Sequence, residues 1–164
     1  MQKKVIIDNI KIKQDSIFNM GELYKALHSW LSNYGYDYAE EEYNETDTGK
    51  TKDLKFFWVA EKKMDAYVSW GIDINVMIRG MEPIELERNG LKLKTFKGSI
   101  EFRITASVIK DPNNKWSKGI SSVLRKLYDQ VMLRQRYNRM EDELVREASK
   151  LIDEIKAFLN LYQF

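Results

Sequence analysis

Between Ala66 and Arg79 the apolar side chains fall on every second position. Ala66, Val68, Trp70, Ile72, Ile74, Val76 and Ile78 form one set; Tyr67, Ser69, Gly71, Asp73, Asn75, Met77 and Arg79 form the other. Successive side chains of a strand point to opposite faces, so this stretch predicts a strand with one greasy and one wet side. The alternation returns at Ile100, Phe102, Ile104, Ala106 and Val108, opposite Glu101, Arg103, Thr105 and Ser107. Strands patterned this way build an antiparallel sheet that is covered on one face only. Val5–Lys13 and Leu54–Glu61 read as further strands. Asn89-Gly90, between Ile84–Glu87 and Leu91–Lys94, predicts a two-residue hairpin because both turn positions need positive φ. Trp58, Trp70, Phe56 and Phe102 fall at inward positions and are expected in the core.

The period changes to 3.6 twice. Asn19-Met20-Gly21-Glu22 has the form of a capping box, with Asn19 as the cap. Leu23, Leu27, Trp30 and Leu31 follow at helical spacing, and Gly35 is a natural C-terminal stop. At the other end, the 45 residues from Ile120 to Phe164 contain neither Gly nor Pro. Ile120, Val123, Leu124, Leu127 and Val131 share one helical stripe. Tyr137, Leu144, Ala148, Leu151, Ile155, Phe158 and Tyr162 share another, rotated by roughly 100°. The slip falls at Arg134-Gln135-Arg136. The fold class expected is therefore α+β: an antiparallel sheet of five to seven strands, roofed by an N-terminal helix and by the start of a long C-terminal helical segment. Residues 1–133 form the core domain, and residues 134–164 a helical extension of it. The second stripe is left free to pack along the domain or to self-associate with another copy, using Tyr137, Leu144, Ala148, Leu151, Ile155 and Phe158.

Composition excludes several kinds of chemistry. The chain has no cysteine and one histidine. Disulfide scaffolds, thiolate zinc, iron–sulfur clusters, a cysteine nucleophile and multi-histidine metal sites are thereby absent. Its 27 basic and 25 acidic residues leave a net charge of +2, too near balance to demand a polyanion partner. Only three apolar residues follow Lys3-Lys4 before Asp8, short of the ~7–15 of a signal peptide. No stretch approaches the ~18–20 apolar residues of a membrane span. A cytoplasmic protein without a cofactor is expected.

Each candidate site has a plainer reading beside it. Gly49-Lys50-Thr51 ends like a phosphate-binding loop, but Asn44 stands where the first glycine belongs, so a hairpin turn is expected. His28 falls off the apolar stripe of its helix and reads as a surface residue. The acidic run Asp37–Asp47 could attract a hard cation, but it lacks fixed ligand spacing and reads as a solvated edge strand. Glu141-Asp142-Glu143 with Glu147 reads as a solvated helix face. Asp73, Glu101 and Arg103 on the wet sheet face read as cross-strand charge pairs, and carboxylates there are the only route to acid–base catalysis. Lys118, Arg125, Lys126, Arg136 and Arg139 lie on or beside one helical face, where they could neutralise phosphates of nucleic acid or lipid. The plainer reading pairs that basic face with the acidic strand.

The order of elements (strand, helix, antiparallel strands, closing helix) resembles that of helix-grip proteins of the START type. That resemblance implies a curved sheet around a helix with an apolar ligand between them. The chain differs in having one helix, not two, after its first strand, and a longer final helix. The ending Asp153–Tyr162, with Leu127-Tyr128-Asp129, is similar to a group of uncharacterised archaeal proteins, which implies no activity. The expected function is that of a non-enzymatic binding or assembly protein. Its candidate partners are a second copy, an apolar small molecule and, through the basic face, nucleic acid.

Overall fold

A computed structural model describes residues 2–110, 123–124, 127 and 134–161 of the chain. Its elements run β1 (Gln2–Phe18), α1 (Met20–Asn33), β2 (Asp37–Asp47), β3 (Lys52–Lys63), β4 (Val68–Arg88), β5 (Leu91–Lys110) and α2 (Arg134–Leu159). The five strands form one antiparallel sheet in the order β1-β5-β4-β3-β2. The fold is α+β with five strands, because runs that the sequence separates are continuous. Ala66–Arg79 and Ile84–Glu87 belong to one long strand, bent by a register shift between Arg79 and Glu82 and by Gly80 at φ +63°. The two runs of β5 are likewise joined. Asn89 (φ 52°) and Gly90 (φ 76°) make the expected tight turn between Arg88 and Leu91.

Alternation sorts the side chains as expected. Ile72, Ile74, Val76, Ile78, Ile100, Phe102, Ile104 and Ala106 are fully buried, with Phe56, Trp58 and Trp70 beside them. Leu23, Leu27, Trp30 and Leu31 of α1 close over part of this face. The Asn19 side chain accepts the Glu22 amide at 3.0 Å and starts the helix; Gly35 at φ +81° ends it.

The roof differs from the expectation at the C-terminal end. Tyr137, Leu144, Ala148, Leu151 and Ile155 are buried in the core of their own chain, and Phe158 is half-buried against it. The stripe read as a self-association surface is thus consumed within the chain. With Met140, Ile152 and Leu159 it presents apolar groups along a helix roughly 39 Å long, enough to run the length of such a sheet. The described members of the first stripe do not take that place. Val123, Leu124 and Leu127 are 59%, 52% and 53% exposed, while Ile120 and Val131 lie outside the described residues.

Polar ties fix α2 along its length. Lys4 pairs with Glu141 at 2.7 Å, and the Lys110 ammonium sits 3.9 Å from the Tyr137 ring centre. Ser16 donates to the Leu159 carbonyl at 2.8 Å. Midway, the Glu147 carboxylate accepts Lys62 at 2.8 and 2.9 Å and the Tyr36 hydroxyl at 2.6 Å. Glu147 therefore leaves the solvated acidic face assigned to it and becomes a half-buried clamp. No helix among the described residues is long and apolar enough to cross a membrane.

Candidate functional site

The basic helix face does not assemble among the described residues. Lys118, Arg125 and Lys126 lie outside them, and Arg139 is exposed. Arg136 reaches Asp65 at 2.5 Å. Asp65 already accepts the Tyr67 and Val68 amides in the β3–β4 turn, so Arg136 anchors the start of α2 to that turn. Among the described residues, neither Arg136 nor Arg139 pairs with the acidic strand. β2 is an edge strand whose Glu42 and Glu45 pair with Lys55 and Lys52 of the neighbouring β3.

Other candidates resolve locally. Gly49 (φ +100°) sits in a turn closed by Thr48 and Thr51, as a hairpin requires. His28 is exposed and its Nδ1 lies 2.7 Å from the Tyr38 hydroxyl. On the wet sheet face Asp73 pairs with Lys3 of β1, and Glu101 with Lys11 across strands and with Arg103 on its own strand.

A site that the sequence did not single out lies where α1 begins and the sheet bends. It is a cleft of about 450 Å³, walled by Met20 and Tyr24 of α1, Tyr43 and Leu54 of the β2–β3 hairpin, Met81 and Pro83 of β4, and Phe96 of β5. Three local features build it. The Asn19 cap starts α1 so that Met20 and Tyr24, four residues apart, share a face. A register shift between Glu40 and Glu42 sets Tyr43 opposite Phe56 and Glu45 opposite Leu54, on the helix side. The bend at Gly80 then places Met81 and Pro83 against Phe96, the strand partner of Pro83.

The floor is aromatic and the rim polar. Tyr24 stacks on Phe56 at 4.8 Å and lies tilted 5.3 Å from Trp58. Its hydroxyl donates to Glu40, which also accepts the Trp58 indole N–H at 2.7 Å. Burial first, then the Glu40 charge, pushes the Tyr24 phenol up, so it stays protonated at physiological pH. Burial and Glu45 raise the Tyr43 phenol in the same way. At the mouth Glu45 and Lys52 pair at 2.9 Å, a contact that holds the Glu45 carboxyl below its usual range and raises the Lys52 ammonium. Neutral phenols, an ion pair and Thr51 can hydrogen-bond one end of an amphipathic molecule, while Met20, Leu54, Met81 and Phe96 cover the other.

Sequence reasoning missed this cleft because no local spacing shows that Met81, Pro83 and Phe96 meet across β4 and β5. The available signal was the interruption Gly80–Pro83 between two strand runs, which marks a bend but not what the bend encloses. No family model, curated protein or solved structure matches this chain.

Proposed function

We propose that this chain is a non-enzymatic binding protein that takes an apolar, amphipathic small molecule in the cleft between α1 and the bent end of the sheet. One observation carries the reading: a concavity of about 450 Å³ with an aromatic and thioether lining and a polar mouth. Ligand sites of this kind run to ~300–1,000 Å³ and combine an apolar lining with a few placed polar groups. Apolar-ligand carriage is also what the helix-grip resemblance implies, but the position differs. Among the described residues, the gap between α1 and α2 beside Leu27 and Leu151 amounts to only about 10 Å³. The ligand belongs at the open end.

Titration with a neutral hydrophobic fluorophore such as Nile red tests this. The wild-type chain should bind it saturably, one to one. Phe96→Asp, at a half-buried cleft position, should weaken binding by about tenfold or more, equivalent to ~1.4 kcal/mol, with the folded signal in circular dichroism retained. Equal binding by both proteins, or none by the wild type, overturns the reading.

A second reading, self-association, is supported at a different place from the one expected. The exposed helical residues Val123, Leu124 and Leu127 offer an apolar ridge, whereas the Tyr137–Phe158 stripe is committed to the core.

A further inference from the structure

The face of the sheet opposite the helices carries a second concavity, of about 440 Å³. Strand register builds it row by row. Lys13 of β1 stands beside Glu101 of β5, then Met77 of β4 and Lys55 of β3; Lys11 stands beside Arg103, then Asn75. Arg79 lies opposite Ser99 in the next row. Because side chains alternate, all these groups emerge on the same wet side.

Charge is concentrated there. Lys11, Lys13, Lys55, Arg79 and Arg103 line the basin against one carboxylate, Glu101, although the whole chain carries only +2. Glu101 is shared, accepting Lys11 at 3.2 Å and Arg103 at 3.4 Å, and so holds two cationic heads side by side. Lys55 reaches Glu42 only at 3.5 Å. Among the described residues Lys13 and Arg79 have no carboxylate partner; Arg79 donates to the Met77 sulfur. The Asn75 amide and Ser99 hydroxyl supply neutral hydrogen-bonding groups in the same basin.

We infer that this basin binds a small polyanion carrying two or more phosphoryl groups. Five cations converging on one concavity match several anionic oxygens, and arginine adds the forked donor geometry that phosphoryl groups accept. The cations span four strands, roughly 14 Å at the spacing of neighbouring strands, more than a single phosphate can bridge. A small molecule fits better than a nucleic acid strand because carboxylates border the basin. Asp15 follows Lys13 on β1, Asp73 precedes Asn75 on β4, and Glu42 and Asp53 stand on the β3 side. A polymer leaving the basin meets those like charges. The cleft of the proposed function lies on the helix side of the sheet, so the two sites are independent.

Calorimetric titration with inorganic tripolyphosphate at low ionic strength tests the inference. The wild type should bind one equivalent, more tightly than it binds orthophosphate and more weakly as salt is added. Lys13→Gln with Arg79→Gln, both outside any ion pair described above, should weaken binding about tenfold or more, whereas Lys92→Gln at the far end of β5, paired with Glu87 beside the hairpin turn, should leave it unchanged. No binding at low salt, or equal binding by the double variant, overturns the inference. So does a single-stranded oligonucleotide that binds more tightly than tripolyphosphate, since that outcome assigns the face to a polymer.

Discussion

Gly98 is a position where one missing atom matters. A Cβ there lies 3.2 Å from the Met81 Cα, 3.3 Å from the Arg79 carbonyl oxygen and 3.4 Å from the Met81 nitrogen. All three are backbone atoms of the bend that shapes the cleft, so none can move aside as a side chain can. Gly98→Ala should cost about 1–3 kcal/mol by overpacking, read as a lowered midpoint in urea denaturation. Glu101 makes a different kind of residue-scale prediction. Burial raises its carboxyl pKa, but the hydrogen bond from Lys11 and the Arg103 guanidinium outweigh burial and hold it below the ordinary value of 4.5. The folded chain thus releases this proton more readily than the unfolded chain does. The stabilisation is fully present above the ordinary carboxylate value and is lost as pH falls through the lower folded one. Urea denaturation of the wild type and Glu101→Gln at several pH values checks this: the difference should be widest near neutrality and close on acidification. The sequence placed Glu101 on the wet face in a cross-strand charge pair, but did not name Lys11 as its partner. Lys11 is ninety residues away, and only strand order brings it near.

At the scale of elements, α2 shows how far periodicity carries. Its stripe was legible, because spacings of three and four residues over 26 residues leave one apolar side. What covers that side was not legible, since a core-facing stripe and a self-association stripe have the same spacing. The sheet takes it: Leu144 and Leu151 are 0% exposed. Leu144→Glu buries an unpaired charge in that core and should unfold the chain rather than dissociate an oligomer. Glu147→Gln tests the clamp separately. It leaves the Lys62 ammonium half-buried without its carboxylate and should cost roughly 2–3 kcal/mol. Thermal denaturation followed in the near-ultraviolet, where Trp70 beneath Lys62 reports, distinguishes the two: no folded baseline for the first variant, a lowered midpoint for the second.

The described residues form two layers with distinct faces: helices and an end cleft on one side of the sheet, a cationic basin on the other. Beyond both, Val123, Leu124 and Leu127 stand more than half exposed. If copies meet along that ridge, sedimentation of the wild type should show a mass rising with concentration, and Leu124→Glu with Leu127→Glu should remain monomeric at every concentration. A wild type monomeric throughout removes the self-association reading. By itself the sequence determined the periods, the turns and the caps, because each is a local property: alternation in β4 and β5, Asn89-Gly90 at positive φ, Asn19 at the head of α1. It therefore determined which residues face inward and that one sheet face stays wet. The tertiary structure alone decided which apolar stripe roofs the sheet, that two pairs of short strands are two long bent ones, and that lysines and arginines from four strands share a basin. Those outcomes depend on strand order and on the bend at Gly80, which bring together side chains more than ninety positions apart, Lys11 and Arg103 among them. No local pattern encodes such a distance.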